Sequence, residues 1–267
     1  MSSSRKAALI VEDLYPGGND FPSSYGNMNL ATGKRLVGVF TPKDLLLRVV
    51  GSGLDAATTT VSEVMTPNPE TASPTTSLVD ALHVMHEQKF LHLPVVEESS
   101  GTILGMVDVL SLCYGTFAKD VGGGESSDWK SFWDMSLALT RDEDDRSETG
   151  KSEGALRPVS KLRPRQVTRI NEFITVAEAA KRMRHARVEA VVITTEEGEL
   201  RGILTDTDIT RRVLSKDIDP ETCSVASVMT ANPSCVRSDD PAIEAITKML
   251  EGRFKHLPVV GPDGIIQ

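Results

Sequence analysis

Two short stretches hold the residue types best suited to chemistry. Gly38-Val39-Phe40-Thr41-Pro42-Lys43-Asp44 and Gly202-Ile203-Leu204-Thr205-Asp206-Thr207-Asp208 both read G-x-x-T-x-x-D. In each, an apolar run ends at a Thr and an Asp follows three residues later. A Thr at a helix N-cap accepts a hydrogen bond from the third helical N–H. Pro42 suits the first helical position, and Asp44 faces the positive end of the helix dipole. A capping box thus explains every residue. The same junction of strand end and helix start also exposes amide N–H groups that hold phosphate. In that second reading the hydroxyl faces a phosphate and the carboxylate accepts from a ribose diol. Both readings stay open at this point.

The elements that must position these turns follow from an internal repeat. Shifting the chain by 164 residues aligns 36–98 with 200–262 without a gap, and 23 of the 63 positions are identical. Besides the two turns, the shared blocks are Val64-Met65-Thr66 with Val228-Met229-Thr230, and Phe90-x-His92-Leu93-Pro94-Val95-Val96 with Phe254-x-His256-Leu257-Pro258-Val259-Val260. A fainter repeat at 98 residues aligns Leu78-Val79-Asp80-Ala81 to Met85 with Val176-Ala177-Glu178-Ala179 to Met183, so the unit is about 50 to 60 residues in four copies. Leu78, Ala81, Leu82 and Met85 recur at helical spacing. Leu93–Val96, Val191–Ile193 and Leu257–Val260 read as strands, followed by turn signals at Ser100-Gly101, Glu197-Gly198 and Asp263-Gly264. Each unit therefore reads as helix, strand, hairpin turn, strand, helix. The first begins at a strand, Ala7–Val11, and the last stops where its second strand and helix are expected. The predicted boundaries are 1–60, a partial unit; 61–118, a full unit; 119–156, a helix and acidic linker; 157–220, a full unit; and 221–267, a partial unit. Trp129, Phe132, Trp133, Met135, Leu137 and Leu139 predict a helix packing back on the first half, ahead of a charged linker over Thr140–Gly154.

Composition narrows the function classes. The 267 residues suffice for about two domains. With 29 Lys+Arg against 38 Asp+Glu the net charge is −9, which argues against non-specific binding to nucleic acid or an anionic membrane. The basic stretch Arg157, Lys161, Arg163, Arg165, Arg169 lacks interleaved aromatics to stack bases. No run approaches the ~20 apolar residues that span a bilayer, and the run Ala7–Val11 is too short for a signal-peptide core. Cys113, Cys223 and Cys235 have neither paired spacing nor a partnered His and Asp, so disulfides, structural zinc and a thiol nucleophile are not expected. His83 and His86 lack a third ligand at a useful spacing. The expected setting is intracellular and cytoplasmic. Met65, Met85, Met183, Met229 and Met249 sit at matching repeat positions and are expected in the core.

The recurring G-x-x-T-x-x-D turns and H-L-P-V-V blocks resemble the cystathionine-β-synthase (CBS) domain family over nearly the whole chain, leaving out chiefly 16–33 and 119–156. The sequence is most similar to eukaryotic proteins that carry two CBS pairs followed by a Phox/Bem-type interaction domain. Met65-Thr66-Pro67-Asn68-Pro69, Lys89-Phe90-Leu91-His92-Leu93-Pro94 and Phe132-Trp133-Asp134 look like their second pair, and Arg182-Met183 with Gly202–Asp206 look like their first. The pairs stand in swapped order, and both ends cut through a unit. The chain is thus expected to be a fragment, a gene-model error or a permuted copy.

The resemblance implies an α/β (α+β) fold of tandem β-α-β-β-α units in two Bateman-like modules, with adenine nucleotides or S-adenosylmethionine as regulatory ligands in the clefts rather than a resident cofactor. It implies Thr41 and Asp44 at one cleft and Thr205 and Asp208 at another, as phosphate and ribose contacts. In the second unit Asp108 and Ser111 stand in those places, so that cleft is expected to be empty or to take an uncharged adenosyl group. His92 and His256 precede Leu-Pro-Val-Val and read either as ligands or as strand-edge residues; Lys89, Arg253 and Lys255 read either as phosphate contacts or as a solvated basic face. The expected function is a non-enzymatic adenosyl-nucleotide sensor with a homodimeric or other protein partner. The alternative is a ligand-free scaffold for dimerisation or protein contacts, in which the capping boxes are purely structural.

Overall fold

The computed structural model describes residues 7–13, 34–112, 158–162 and 164–266. The predicted 129–139 helix, the 140–154 linker, the 16–33 segment, Cys113, Arg157 and Arg163 lie outside the described residues. No described helix is long and apolar enough to cross a membrane.

In the first repeat, β1 (Ala8–Asp13) pairs antiparallel with β2 (Lys34–Phe40), and β2 pairs with the short β3 (Thr66–Pro67). Between β2 and β3 run α1 (Pro42–Asp44), its continuation as a π-helix over Leu45–Val49 and a 3-10 turn over Val50–Ser52, and α2 (Val61–Val64). Next come α3 (Leu78–Glu87) and the hairpin β4 (His92–Val96) with β5 (Ile103–Asp108).

The second repeat retraces this path. The strands β6 (Arg169–Ile170), β7 (Ala190–Thr194), β8 (Leu200–Thr205) and β9 (Thr230–Ala231) form one sheet in that order. Their helices are α4 (Val176–Ala186), α5 (Asp206–Arg212) and α6 (Val225–Val228). A two-stranded parallel sheet of β10 (Val236–Arg237) and β11 (Val259–Val260) flanks α7 (Ala242–Gly252).

Local signals account for most of these boundaries. Ser77 and Thr175 cap α3 and α4 by accepting from the N–H groups of Asp80 and Glu178. Gly101, Gly198 and Gly264 take positive φ of 65°, 89° and 78° in the expected turns, a backbone that L side chains resist. Lys89, Arg187 and Arg253 follow the ends of α3, α4 and α7 in the left-handed region. There their charges complement the negative helix ends, an assignment that Lys89 and Arg253 did not carry in the sequence.

Three expectations need correction. The predicted strand 257–260 is reduced to Val259–Val260, because its antiparallel partner among the described residues is a single bridge to Ile266, whereas β4 has all of β5. The first strand starts one residue later and runs on to Asp13. Of the five repeat methionines, only Met85 and Met183 are buried; Met65, Met229 and Met249 are half-buried.

The largest core belongs to the third unit but is completed by the first. Ile170, Val176, Ala179, Ala180, Met183, Val191, Ile193, Leu204, Ile209 and Val213 enclose Leu46 and Val50 from the helical segment 42–52. Full burial of Leu46 is worth about 1.5–3 kcal/mol. Gly51 shows how tightly the two repeats cross. A Cβ placed there would lie 2.9 Å from both the Ala180 carbonyl and Arg184 Cβ. On the opposite face, Val192 packs with Val260 and Ile266 of the last unit. The second unit keeps a separate, smaller core of Ala72, Ala81, Met85 and Leu93.

Candidate functional site

The two G-x-x-T-x-x-D turns sit where β2 meets α1 and where β8 meets α5. Thr41 and Thr205 adopt nearly the same extended backbone, with φ, ψ of −132°, 164° and −121°, 165°. Both form complete capping boxes. Asp44 N–H donates to Thr41 Oγ1 at 3.4 Å, while Thr41 N–H and Oγ1 donate to Asp44 Oδ2 at 2.9 and 2.8 Å. In the second turn the matching distances are 3.2, 3.0 and 2.7 Å. The leading glycines serve packing: a Cβ at Gly38 or Gly202 would collide with the Met65 or Met229 sulfur.

Each Asp divides its two oxygens between tasks. Oδ2 belongs to the Thr, whereas among the described residues Oδ1 has only longer contacts: 3.3 Å to Arg48 Nη1 for Asp44, and 3.4 Å to both Arg212 Nη2 and Thr230 Oγ1 for Asp208. The carboxylates lie shallowly under the surface, with side chains 8% and 12% exposed. Oδ1 is therefore the acceptor best placed for an incoming hydroxyl donor.

The third turn reverses the roles. Asp108 is the cap: Ser111 N–H donates to its Oδ1 at 2.9 Å and Ser111 Oγ to its Oδ2 at 2.5 Å. His92 lies directly opposite Asp108 across the β4–β5 pair. A carboxylate rather than a hydroxyl thus fronts this turn, and it repels phosphate.

Beside the first two turns lies a charged group that draws on three units. α1 and α5 pack together. Lys43 Nζ reaches Glu189 Oε1 at 2.6 Å across the boundary between the repeats. Burial alone raises the Glu189 pKa, but the Lys43 hydrogen bond and the charges of Lys43, Lys255 and His256 outweigh it and hold the carboxyl below its ordinary value. Asp206 is 3% exposed, and burial pushes its carboxyl above the usual range; Glu189 adds to that rise, while Lys255 and bonds from Thr207 oppose it. The charge of His256 thus acts on Glu189, whereas His92 stands on the hairpin that carries Asp108. Among the described residues no group of three or more His, Cys, Asp or Glu could hold a metal ion. His83 pairs instead with Glu87, at 3.0 Å.

Reading from sequence overlooked Lys43, Glu189, Arg48 and Arg212. The two arginines carried a usable signal, since they are identical at the 164-residue offset. The Lys43–Glu189 pair had none, because it joins residues from different repeats with no sequence relation.

Comparison with known proteins agrees with this architecture. Against a protein of Methanocaldococcus jannaschii described as MJ1225, a putative archaeal homolog of g-AMPK, the fold matches with a TM-score of 0.58 over 87% of this chain and 79% of that one, at 14% identity. The Arabidopsis thaliana CBS domain-containing protein CBSCBSPB3 is 32% identical over 241 residues, covering 86% of this chain and 42% of its own length. The Schizosaccharomyces pombe meiotically up-regulated gene 70 protein is 27% identical over 259 residues, covering 85% of this chain and 35% of its own. The chain thus spans less than half the length of the Arabidopsis and Schizosaccharomyces relatives. The CBS domain model matches residues 61–113, 159–215 and 225–266, more than half of the chain. With its repeated strand–turn–helix units, the chain belongs to the CBS domain family.

Proposed function

We propose that this CBS domain chain is a non-enzymatic, intracellular regulatory module that binds an adenosyl nucleotide, AMP, ADP or ATP, or S-adenosylmethionine, at the Thr41–Asp44 and Thr205–Asp208 turns. The observation that carries this reading is the paired geometry. Two turns 164 residues apart present the same hydroxyl, the same helix-start amides and a carboxylate whose Oδ1 has, among the described residues, only contacts of 3.3–3.4 Å. Ribose hydroxyls donating to Oδ1, with phosphate oxygens at the amides and the Thr hydroxyl, suit that arrangement. The reading keeps His256 beside the second cleft and leaves the Asp108–Ser111 cleft, with His92 across the hairpin, empty or bound to an uncharged adenosyl group. It divides the chain into units at 1–60, 61–118, 157–220 and 221–267, and the module acts through self-association or another protein partner. Isothermal calorimetry with the four ligands tests it. Heat is expected with at least one of them, to weaken in Asp44→Ala and in Asp208→Ala, and to vanish when both are changed; silence with all four would sink the proposal.

One observation favours a ligand-free scaffold as the second reading. Each Thr hydroxyl already donates to its own Asp, and each Asp already faces an Arg, so the turns are satisfied without a ligand. On that reading the chain contributes only its surfaces to dimerisation or protein contacts.

A further inference from the structure

Arg48 and Arg212 stand four residues beyond the Asp of each turn, and each guanidinium joins that turn to the segment leading into the following unit. Arg48 Nη1 donates to the carbonyls of Val64, at 2.8 Å, and Met65, at 2.5 Å, while lying 3.3 Å from Asp44 Oδ1. Arg212 repeats the arrangement: Nη1 donates to the carbonyls of Val228 and Met229 at 2.7 and 2.9 Å, and Nη2 lies 3.4 Å from Asp208 Oδ1. These carbonyls sit at the end of α2 and of α6, just before the chain turns into β3 and β9. Helix-end carbonyls lack intrahelical partners, and a planar five-donor fork can serve them and a carboxylate together. The same Val-Met pairs are held from the other side, where the Met65 and Met229 sulfurs press on Gly38 and Gly202.

We infer that Arg48 and Arg212 are positioning residues that couple the state of the Asp44 and Asp208 carboxylates to the lead-in helices of the next units, 61–65 and 225–229. The signal's direction rests on the nucleotide reading; the coupling itself does not. Because Oδ2 is committed to the Thr, a ribose hydroxyl arriving at Oδ1 shares that oxygen with the guanidinium. The Asp–Arg attraction weakens, and the Arg redistributes its donors toward the carbonyls. Linkage makes the effect reciprocal: removal of the Arg changes nucleotide affinity by a factor in the usual coupling range of about 5–150. The device occurs twice with the same residue spacings, and at Asp208 the Thr230 hydroxyl adds a further contact at 3.4 Å.

The first arm of the test needs no ligand. Hydrogen exchange on the full chain follows the 225–229 amides, among them Met229 N–H, which donates to the Val225 carbonyl at 2.9 Å. Asp208→Asn keeps an acceptor for the capping bonds but removes the charge that Arg212 faces; Arg212→Gln removes the bridge. Coupling predicts that Arg212→Gln speeds exchange at these amides several-fold, that Asp208→Asn slows it by releasing Arg212 to the carbonyls, and that the double variant behaves as Arg212→Gln alone. Fast exchange in Arg212→Gln with unchanged exchange in Asp208→Asn would overturn it, leaving Arg212 as a helix-end cap alone. If Arg212→Gln does not fold, Arg212→Lys and the first-repeat variants Asp44→Asn and Arg48→Gln, followed at 61–65, decide the question. The second arm adds AMP, ADP, ATP and S-adenosylmethionine. Binding heat accompanied by altered 225–229 exchange supports the coupling, and binding heat with unchanged exchange refutes it. Absence of heat overturns only the nucleotide reading, and the first arm then decides the coupling alone.

Discussion

In the third unit, β7 buries Val191, Val192 and Ile193 to 3% exposure or less. In the second unit, the matching strand β4 buries Leu93 and Pro94 and leaves Val95 and Val96 half-buried. The strands are alike in sequence type, so the difference comes from their neighbours. The third unit receives Leu46 and Val50 on one side and Val260 and Ile266 on the other. Among the described residues the second unit's core holds only its own, with Phe90, Val107, Val109 and Leu112 at its margin. Burial in this repeat protein is set by which units meet, more than by the apolar content of any one unit.

The sharpest way to break that comparison is to delete one methionine from each core. Met183→Ala is expected to cost about 2–5 kcal/mol, and Met85→Ala to fall at or below the low end of that range, because the smaller core has more freedom to collapse. Urea unfolding of the two variants measures both, and equal costs would erase the distinction. Removal of the caps comes next. Thr41→Ala and Thr205→Ala should each lose about 0.5–2 kcal/mol by the same assay, with similar values because their bonds are similar.

Acid titration separates the two carboxyls of the charged group. The Glu189 pKa is lowered on folding, so its contribution is present above the unfolded value of 4.5 and is lost as pH falls through the folded value. Lys43→Gln should therefore destabilise at pH 7 and converge on the wild type in acid. The Asp206 pKa is raised, so its contribution is greatest below 3.8 and is lost as pH rises through the folded value. Asp206→Asn should accordingly gain stability on the wild type at pH 7 relative to pH 4. Unfolding curves at both pH values check both signs. The smallest effect is expected at Gly105, where an added Cβ meets nothing within 4 Å: Gly105→Ala should stay within about 0.5 kcal/mol of the wild type. Gly202→Ala, which drives a Cβ into Met229, should be plainly destabilising in the same urea unfolding.

Much of the fold was legible because its signals are local. The Thr and Asp of each turn and the hairpin glycines each act within a few residues, so type and spacing were enough to find them; the caps Ser77 and Thr175 are equally local but emerge only in the structure. The repeat then placed them in register. What stayed hidden was non-local. A shift of 164 residues shows that Leu46 and Thr210 are equivalent, yet says nothing about Leu46 entering the third unit's core, and Lys43 gives no hint of Glu189. The π-helical stretch after Asp44 was equally unreadable, since helical spacing does not distinguish α from π over five residues. At the candidate site the Thr and Asp were found and their partner arginines missed, because attention to phosphate-facing groups passed over a cation that binds carbonyls.

The burial of Leu46 among residues 170–228 also bears on the order in which the protein is built. During synthesis the helical segment 42–52 leaves the ribosome more than 100 residues ahead of the first partner that covers it. At about 5–20 residues per second, Leu46 and Val50 wait on the order of ten seconds with their apolar faces uncovered. Contacts of such sequence separation are late and slow to form. The core that Leu46 and Val50 enter is therefore completed only after the second repeat has been made.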